Sequence, residues 1–154
     1  MLRKELERAG DARFLPRFLL PLGELAACLG TVGEVAQGLR TVDEALARCE
    51  ARDERWYEAE LLRIKGELML HESEHRSVEE AERHFNRSIE VARHQSASSW
   101  ELRTAVSLGR LRISQDRRAD ALNILTSVCG KFTEGFETVD MRNAKAMIEQ
   151  LSPQ

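Results

Sequence analysis

The sequence has few of the residues that interrupt helices or build sheets, and this scarcity limits its fold class. Its 154 residues include 3 prolines and 9 glycines, and aromatic residues make up only 5%. Leu, Ala, Glu and Arg, which favour helices, are abundant throughout. With 42% hydrophobic residues, the chain is long enough for one domain with a core and too short for two ordinary domains. We therefore expect a single all-α domain over residues 1–154.

The chain also lacks a large net charge, a long apolar run and an even number of cysteines. Its formal net charge is −3 with both signs interspersed, which disfavours binding to nucleic acid. The longest apolar segment, residues 18–29, contains proline, glycine and glutamate and does not predict a membrane span. Cys28, Cys49 and Cys129 are scattered through apolar helical patterns, so we expect buried thiols in a reducing compartment. With no signal-peptide pattern at the N-terminus, the expected location is the cytoplasm.

Apolar residues recur at steps of three and four along the chain, which predicts helices. The predicted helices cover residues 13–29, 32–52, 54–72, 78–94, 99–115, 118–132 and 139–151. Ser77, followed by Val78 and two glutamates, predicts a capped helix start. Gly30 and the segment 133–136 predict helix ends, because glycine readily adopts the left-handed conformation that closes a helix.

Three glycines recur at an equal interval, and this is the strongest sign of repetition. Gly23, Gly66 and Gly109 lie 43 residues apart, each two residues before a leucine. In each copy a second helix follows with a small and then a large apolar position, as at Ala81 and Phe85. Such spacing predicts an array of helix pairs in which a small residue lets the two helices approach closely. We expect hairpins over roughly residues 13–52, 54–95 and 99–132, with a capping helix over 139–151.

Several short motifs point to a known type of array. They are Asp-Glu-Ala-Leu-Ala at 43–47, Arg-Trp-Tyr-Glu-Ala-Glu-Leu at 55–61, Gly-Glu-Leu at 66–68, Ser-Trp-Glu-Leu-Arg at 99–103, and the segment 132–138. In this order they resemble the extended tetratricopeptide-like (TPR-like) arrays at the C-terminal end of large bacterial signalling ATPases, including those fused to adenylate or guanylate cyclase domains.

The resemblance implies a TPR-like α-solenoid of about three antiparallel helix hairpins. It further implies the regulatory part of a bacterial signal-transduction protein, which binds a peptide or protein partner. The chain has no Gly-Lys-Ser/Thr phosphate loop, so the nucleotide and cyclase chemistry of the family's upstream domains does not carry over.

In such arrays the first helix of each hairpin lines a concave face. Projecting the TPR pattern from Gly66 and Gly109 predicts that the partner-binding residues are Glu60, Arg63, Glu67, Leu70, Arg103, Val106, Arg110 and Ile113. The first copy would add Phe18, Leu20, Glu24 and Ala27. This groove suits a peptide with acidic groups and a few apolar anchors. Replacing Arg63 and Arg110 with Glu is expected to weaken its binding by about tenfold or more without unfolding the chain.

One motif indicates a different class of protein. His71, Glu72 and His75 satisfy the zinc-protease pattern, in which two histidines one helical turn apart bind the metal and a glutamate acts as the base. A helical metallohydrolase is therefore the alternative function, but the motif falls where a helix is predicted to end. His84 and His94 have no nucleophile beside them and are expected to cover a surface edge or to hydrogen-bond a neighbouring carbonyl. We expect no enzyme, no metal and no cofactor.

The last expectations concern large apolar side chains between the repeats and the capping of the two ends of the array. Trp56 and Trp100 each open the first helix of a hairpin and are expected to pack between repeats rather than contact a ligand. The segment 139–151 has one apolar face and a polar back, as a capping helix requires. Residues 2–8 are short and charged and give no such cap. We therefore expect the first repeat to bury its open face against a second copy, as a homodimer through the N-terminal repeat, or against an upstream domain.

Overall fold

A computed structural model of the chain describes residues 19–71 and 75–152. These residues form seven α-helices and contain no strand. The helices are α1 (Leu19–Thr31), α2 (Val35–Arg52), α3 (Glu58–Leu70), α4 (His75–His94), α5 (Ser98–Ser114), α6 (Arg118–Cys129) and α7 (Val139–Leu151), with a 3-10 turn at Arg55–Tyr57 before α3. The predicted all-α fold class is confirmed. The predicted helical residues 13–18 lie outside the described part of the chain.

The predicted and observed helices correspond in order, and they differ at their ends. The cap predicted at Ser77 is wrong, because α4 begins at His75 and Ser77 is buried within its first turn. The helix end predicted near Gly30 is confirmed at Thr31, but the glycine with the left-handed conformation is Gly33, with φ +87°, and not Gly30. The predicted break after α6 is confirmed, and Gly135 adopts φ +73° there.

Each helix packs against the next one along the chain, and a second set of contacts joins alternate helices. Helix α1 contacts α3, α3 contacts α5, and α5 contacts α7. The core accordingly consists of four neighbouring clusters, which draw in turn on α1 to α3, on α3 and α4, on α4 and α5, and on α5 to α7. Helices α3 and α5 lie at the centre of this arrangement and carry the predicted site residues.

The periodic glycines are points of close approach, as their spacing predicts. A Cβ on Gly66 of α3 would lie 2.6 Å from the Phe85 ring of α4, and one on Gly109 of α5 would lie 3.3 Å from Leu125 of α6. Gly23 of α1 differs, because a Cβ there would lie against Tyr57 and against Leu61 and Ile64 of α3, and not against α2. In the second and third copies, therefore, the glycine receives the large apolar residue of the following helix.

In the first copy two other glycines allow the close approach. A Cβ on Gly30 of α1 would lie 2.5 Å from a Leu68 methyl, and one on Gly38 of α2 would lie 3.0 Å from the same methyl. The Gly38 position is also 3.0 Å from the carbonyl oxygen of Ala26. Leu68 of α3 thus packs into the space that these two glycines leave between α1 and α2, and this contact holds α1 and α2 against α3.

The aromatic residues correct one expectation. Trp56 is 44% exposed, so its predicted packing between repeats is wrong, and the adjacent Tyr57 is buried in its place. The Tyr57 hydroxyl lies 3.4 Å from the carboxylate of Glu24 on α1. Trp100 of α5 is partly buried, and its ring packs edge to face against that of Tyr57 at 5.5 Å, in the turn before α3.

The cysteines differ in their exposure. Cys49 is buried, and this burial raises the pKa of its thiol to about 11. Cys129 is half-buried, and burial also raises the pKa of its thiol. Cys28 is exposed on α1, which corrects the expectation that all three thiols are buried.

The glycine contacts predict a difference between two matched substitutions. Gly66→Ala should destabilise the fold by about 1–3 kcal/mol, because the new methyl group would overlap the fully buried Phe85 ring. Gly109→Ala should cost less or stabilise slightly, because its nearest atoms lie at 3.2 Å and 3.3 Å and alanine is the better helix former by about 1 kcal/mol. Urea unfolding of both variants measures the difference. Equal free energies of unfolding would contradict the close approach at Gly66.

Candidate functional site

The partner-binding residues projected from Gly66 and Gly109 lie on α3 and α5, but their exposure differs widely. Arg110 and Leu70 are exposed, while Arg63, Glu67, Arg103 and Ile113 are partly buried. Glu60 is 2% exposed and Val106 is 6% exposed, so the expectation that both point outward is wrong. From the first copy, Leu20 and Glu24 are exposed and Ala27 is half-buried, whereas Phe18 lies outside the described residues.

Glu60 is buried because two arginines neutralise its carboxylate. Its two oxygens accept hydrogen bonds from Arg63 on the same helix at 2.7 Å and 2.8 Å. Arg103 of α5 donates a third bond to Glu60 at 3.1 Å, which joins α3 to α5. A carboxylate paired and hydrogen-bonded in this way tolerates burial that an isolated charge would not.

Arg63 also forms an ion pair with a second carboxylate. Its guanidinium lies 2.6 Å from Glu67, one helical turn further along α3. Burial disfavours the charged form of Arg63, but its hydrogen bonds and charge interactions with Glu60 and Glu67 outweigh burial and raise its pKa above the usual value. Glu67 in turn accepts a hydrogen bond from the Ser107 hydroxyl of α5 at 2.8 Å. The charge of Arg63 is therefore neutralised by carboxylates of the chain itself.

Arg103 extends the same network to α7. It donates two hydrogen bonds, of 3.0 Å and 3.1 Å, to Asp140 in the first turn of that helix. Its guanidinium also lies 5.1 Å from the centre of the Trp100 ring, within the range of a cation–π interaction. The middle of the predicted face is thus a chain of paired charges that links α3, α5 and α7.

A cleft of about 750 Å³ lies beyond this network, where α3 and α5 end and α4 begins. It is lined by Leu70, Val78, Glu79, Arg110, Leu111, Ser114 and Gln115. Arg110 forms no ion pair with any described residue and keeps its guanidinium exposed. The structure thus brings two of the predicted residues, Leu70 and Arg110, together at one edge of the face.

Val78 and Glu79 also line this cleft, and sequence reasoning did not place them in a site. Both lie in the first turns of α4, the helix whose start was predicted too late. Their spacing relative to Leu70 could have identified them only if the length of the intervening turn had been known.

A second cleft, of about 680 Å³, lies between the start of α5 and the connection from α6 to α7. Its cations are already paired, since Arg103 binds Asp140 and Lys131 lies 2.7 Å from Glu101. Glu101 is 3% exposed and also binds Arg93 at 2.6 Å. Burial raises the pKa of Glu101, but the hydrogen bonds from Lys131 and Arg93 outweigh burial and lower it. These charges join α4, α5 and the segment after α6.

The histidine motif falls between two helices. His71 is exposed at the end of α3, and α4 begins at His75, so the two residues do not share a turn of one continuous helix. Glu72 lies outside the described residues. No group of three metal-ligating side chains occurs in the part of the chain that the structure describes. His84 is half-buried, and burial together with the nearby charge of Lys65 lowers its pKa.

No family model, curated protein or solved structure matches the chain. The TPR-like resemblance therefore stays a prediction from the sequence. Among residues 19–71 and 75–152, no helix combines the length and the apolar character needed to cross a membrane.

The ion pairs among Glu60, Arg63 and Arg103 change the effect on stability that is expected of two charge-reversing substitutions. Arg63→Glu would place a third carboxylate beside Glu60 and Glu67 and should destabilise the fold by about 3 kcal/mol or more. Arg110→Glu makes the same change of charge at an exposed, unpaired position and should alter stability by no more than about 0.5 kcal/mol. This corrects the expectation that both arginines can be reversed without unfolding. Urea unfolding of both variants measures the contrast, and a stable Arg63→Glu protein would contradict the assigned network.

Proposed function

We propose that the chain is a TPR-like α-solenoid module of about three helix hairpins and a capping helix, which binds a peptide or protein partner. The observation that carries this proposal is the order of helix contacts. The alternate helices α1, α3, α5 and α7 contact one another in sequence, and every helix also packs against the next one. Stacked helix pairs have this contact order, because each pair buries its apolar face against its neighbours.

The division of the core supports the same proposal. The buried residues of each of the four clusters come from helices that are close in sequence, as in a protein whose repeats contact mainly their neighbours. The role that we propose within the cell, as the regulatory part of a bacterial signal-transduction protein in the cytoplasm, rests on the motifs shared with TPR-like arrays.

The cleft beside Arg110 supports partner binding at one edge of the face. It combines apolar side chains with an exposed guanidinium, whereas the middle of the face is occupied by internal ion pairs. Binding sites commonly place a few polar groups around an apolar floor.

The proposal is tested by selecting peptides from a displayed library of random sequences on the immobilised protein. We expect the folded chain to enrich peptides with a shared pattern, whose affinities are then measured by fluorescence anisotropy. The control is Phe85→Asp, which places a charge at a fully buried position and should unfold the chain. If the folded protein enriches no peptide, or enriches the same peptides as the unfolded control, the peptide-binding proposal is wrong.

We also propose self-association through the N-terminal repeat. Leu20 on α1 is 44% exposed and Val32 in the following turn is 72% exposed. Light scattering over a range of concentrations should show a dimer that Val32→Glu converts to a monomer. Val139→Glu is the matched control, because Val139 is 61% exposed at the start of α7. A mass equal to that of the monomer at every concentration would contradict the dimer.

A further inference from the structure

We propose that the cleft formed by α3, α4 and α5 binds a segment of a partner chain in which one apolar side chain lies next to a single carboxylate. This inference rests on the proposed function and specifies its ligand. The segment docks at the edge of the face, where the two helices end, and not along its middle.

The apolar part of the segment is indicated by the floor of the cleft. Leu111 is buried at 5% exposure, Val78 is half-buried, and Leu70 is 36% exposed at the rim. These three side chains come from three helices and leave an open volume of about 750 Å³, which lies within the size range of sites for small ligands. Covering Leu70 and Val78 with an apolar side chain would remove exposed apolar surface from water.

The carboxylate is indicated by the difference between Arg110 and the other two arginines of the face. Arg63 is held by Glu60 and Glu67, and Arg103 is held by Glu60 and Asp140. An incoming acid would have to displace those carboxylates to bind in the middle. Arg110 has no such partner among the described residues, and a guanidinium binds a carboxylate through two parallel hydrogen bonds. The acidic group is therefore recognised at Arg110.

Glu79 limits the segment to one carboxylate. It lines the same cleft from α4, is exposed and forms no ion pair with a described residue. Its charge repels a second acidic group that enters the cleft and favours a neutral or basic residue there. A run of acidic residues is consequently disfavoured, whereas a segment with one acid fits both charges.

The test repeats the selection from the random-peptide library with three forms of the protein. Wild type and Arg40→Glu should enrich peptides with an apolar residue next to one Asp or Glu, and Arg110→Glu should not. Arg40 is the matched control, because it is exposed on α2, forms no ion pair within the described part of the chain, and undergoes the same change of charge. Fluorescence anisotropy of one enriched peptide should show binding at least about tenfold weaker to Arg110→Glu than to Arg40→Glu.

Two further substitutions separate the two halves of the site. Leu70→Ser should weaken the same peptide through the apolar contact, and Glu79→Gln should admit peptides with a second acidic residue. Peptides that bind wild type and Arg110→Glu equally, or that carry basic groups only, would overturn this inference and leave the proposed function standing. A wild-type selection that enriches no peptide would overturn both.

Discussion

The buried carboxylate of Glu60 is the constraint on which the arrangement of the face depends. A charge at 2% exposure is costly unless it is neutralised, and here one arginine from its own helix and one from α5 neutralise it. Both arginines are thereby turned toward the protein, and each then takes up a further carboxylate. The middle of the face is consequently occupied by internal pairs, and among its described residues the unpaired cation, Arg110, lies toward the edge.

Steric fit gives the helix pairs their spacing, and charge connects the alternate helices. Phe85 enters the gap left by Gly66, and Leu68 enters the gap left by Gly30 and Gly38, so large apolar side chains meet positions without a side chain. A buried polar contact adds to this fit. The Ser88 hydroxyl of α4 donates to the Ala59 carbonyl of α3 at 2.6 Å and lies 2.8 Å from the Thr104 hydroxyl of α5. One side chain thus joins three helices inside the core.

Apolar periodicity was sufficient to predict the number and order of the helices in the described part of the chain, and two of the starts that it missed share one feature. Helix α2 was predicted from residue 32 and begins at Val35, and α3 was predicted from residue 54 and begins at Glu58; their N-cap residues, Glu34 and Tyr57, form no capping hydrogen bond through their side chains. Such starts carry little sequence signal. Helix α7 is the contrast, because Thr138 accepts a hydrogen bond from the Met141 amide, and its predicted limits coincide with those observed.

The burial and pairing of the candidate site residues were less predictable than the helices, as Glu60 and the three arginines of the face show. Projecting a repeat assigns each position to a face of its helix, but the burial of Glu60 depends on Arg103, which is distant in sequence. The projection placed Arg63, Arg103 and Arg110 as equivalent cations. Only their partners distinguish them: those of Arg63 lie on its own helix, those of Arg103 come from α3 and α7, and Arg110 has none among the described residues.

The cysteines give the chain a natural position for a spectroscopic label. A thiol reacts as its thiolate and needs access to the reagent, and both requirements disfavour Cys49, which is buried with a pKa of about 11. Burial raises the pKa of the half-buried Cys129 as well. Cys28, exposed on α1, is therefore the preferred point of attachment, and a dye there would sit on the first described helix without any engineered residue.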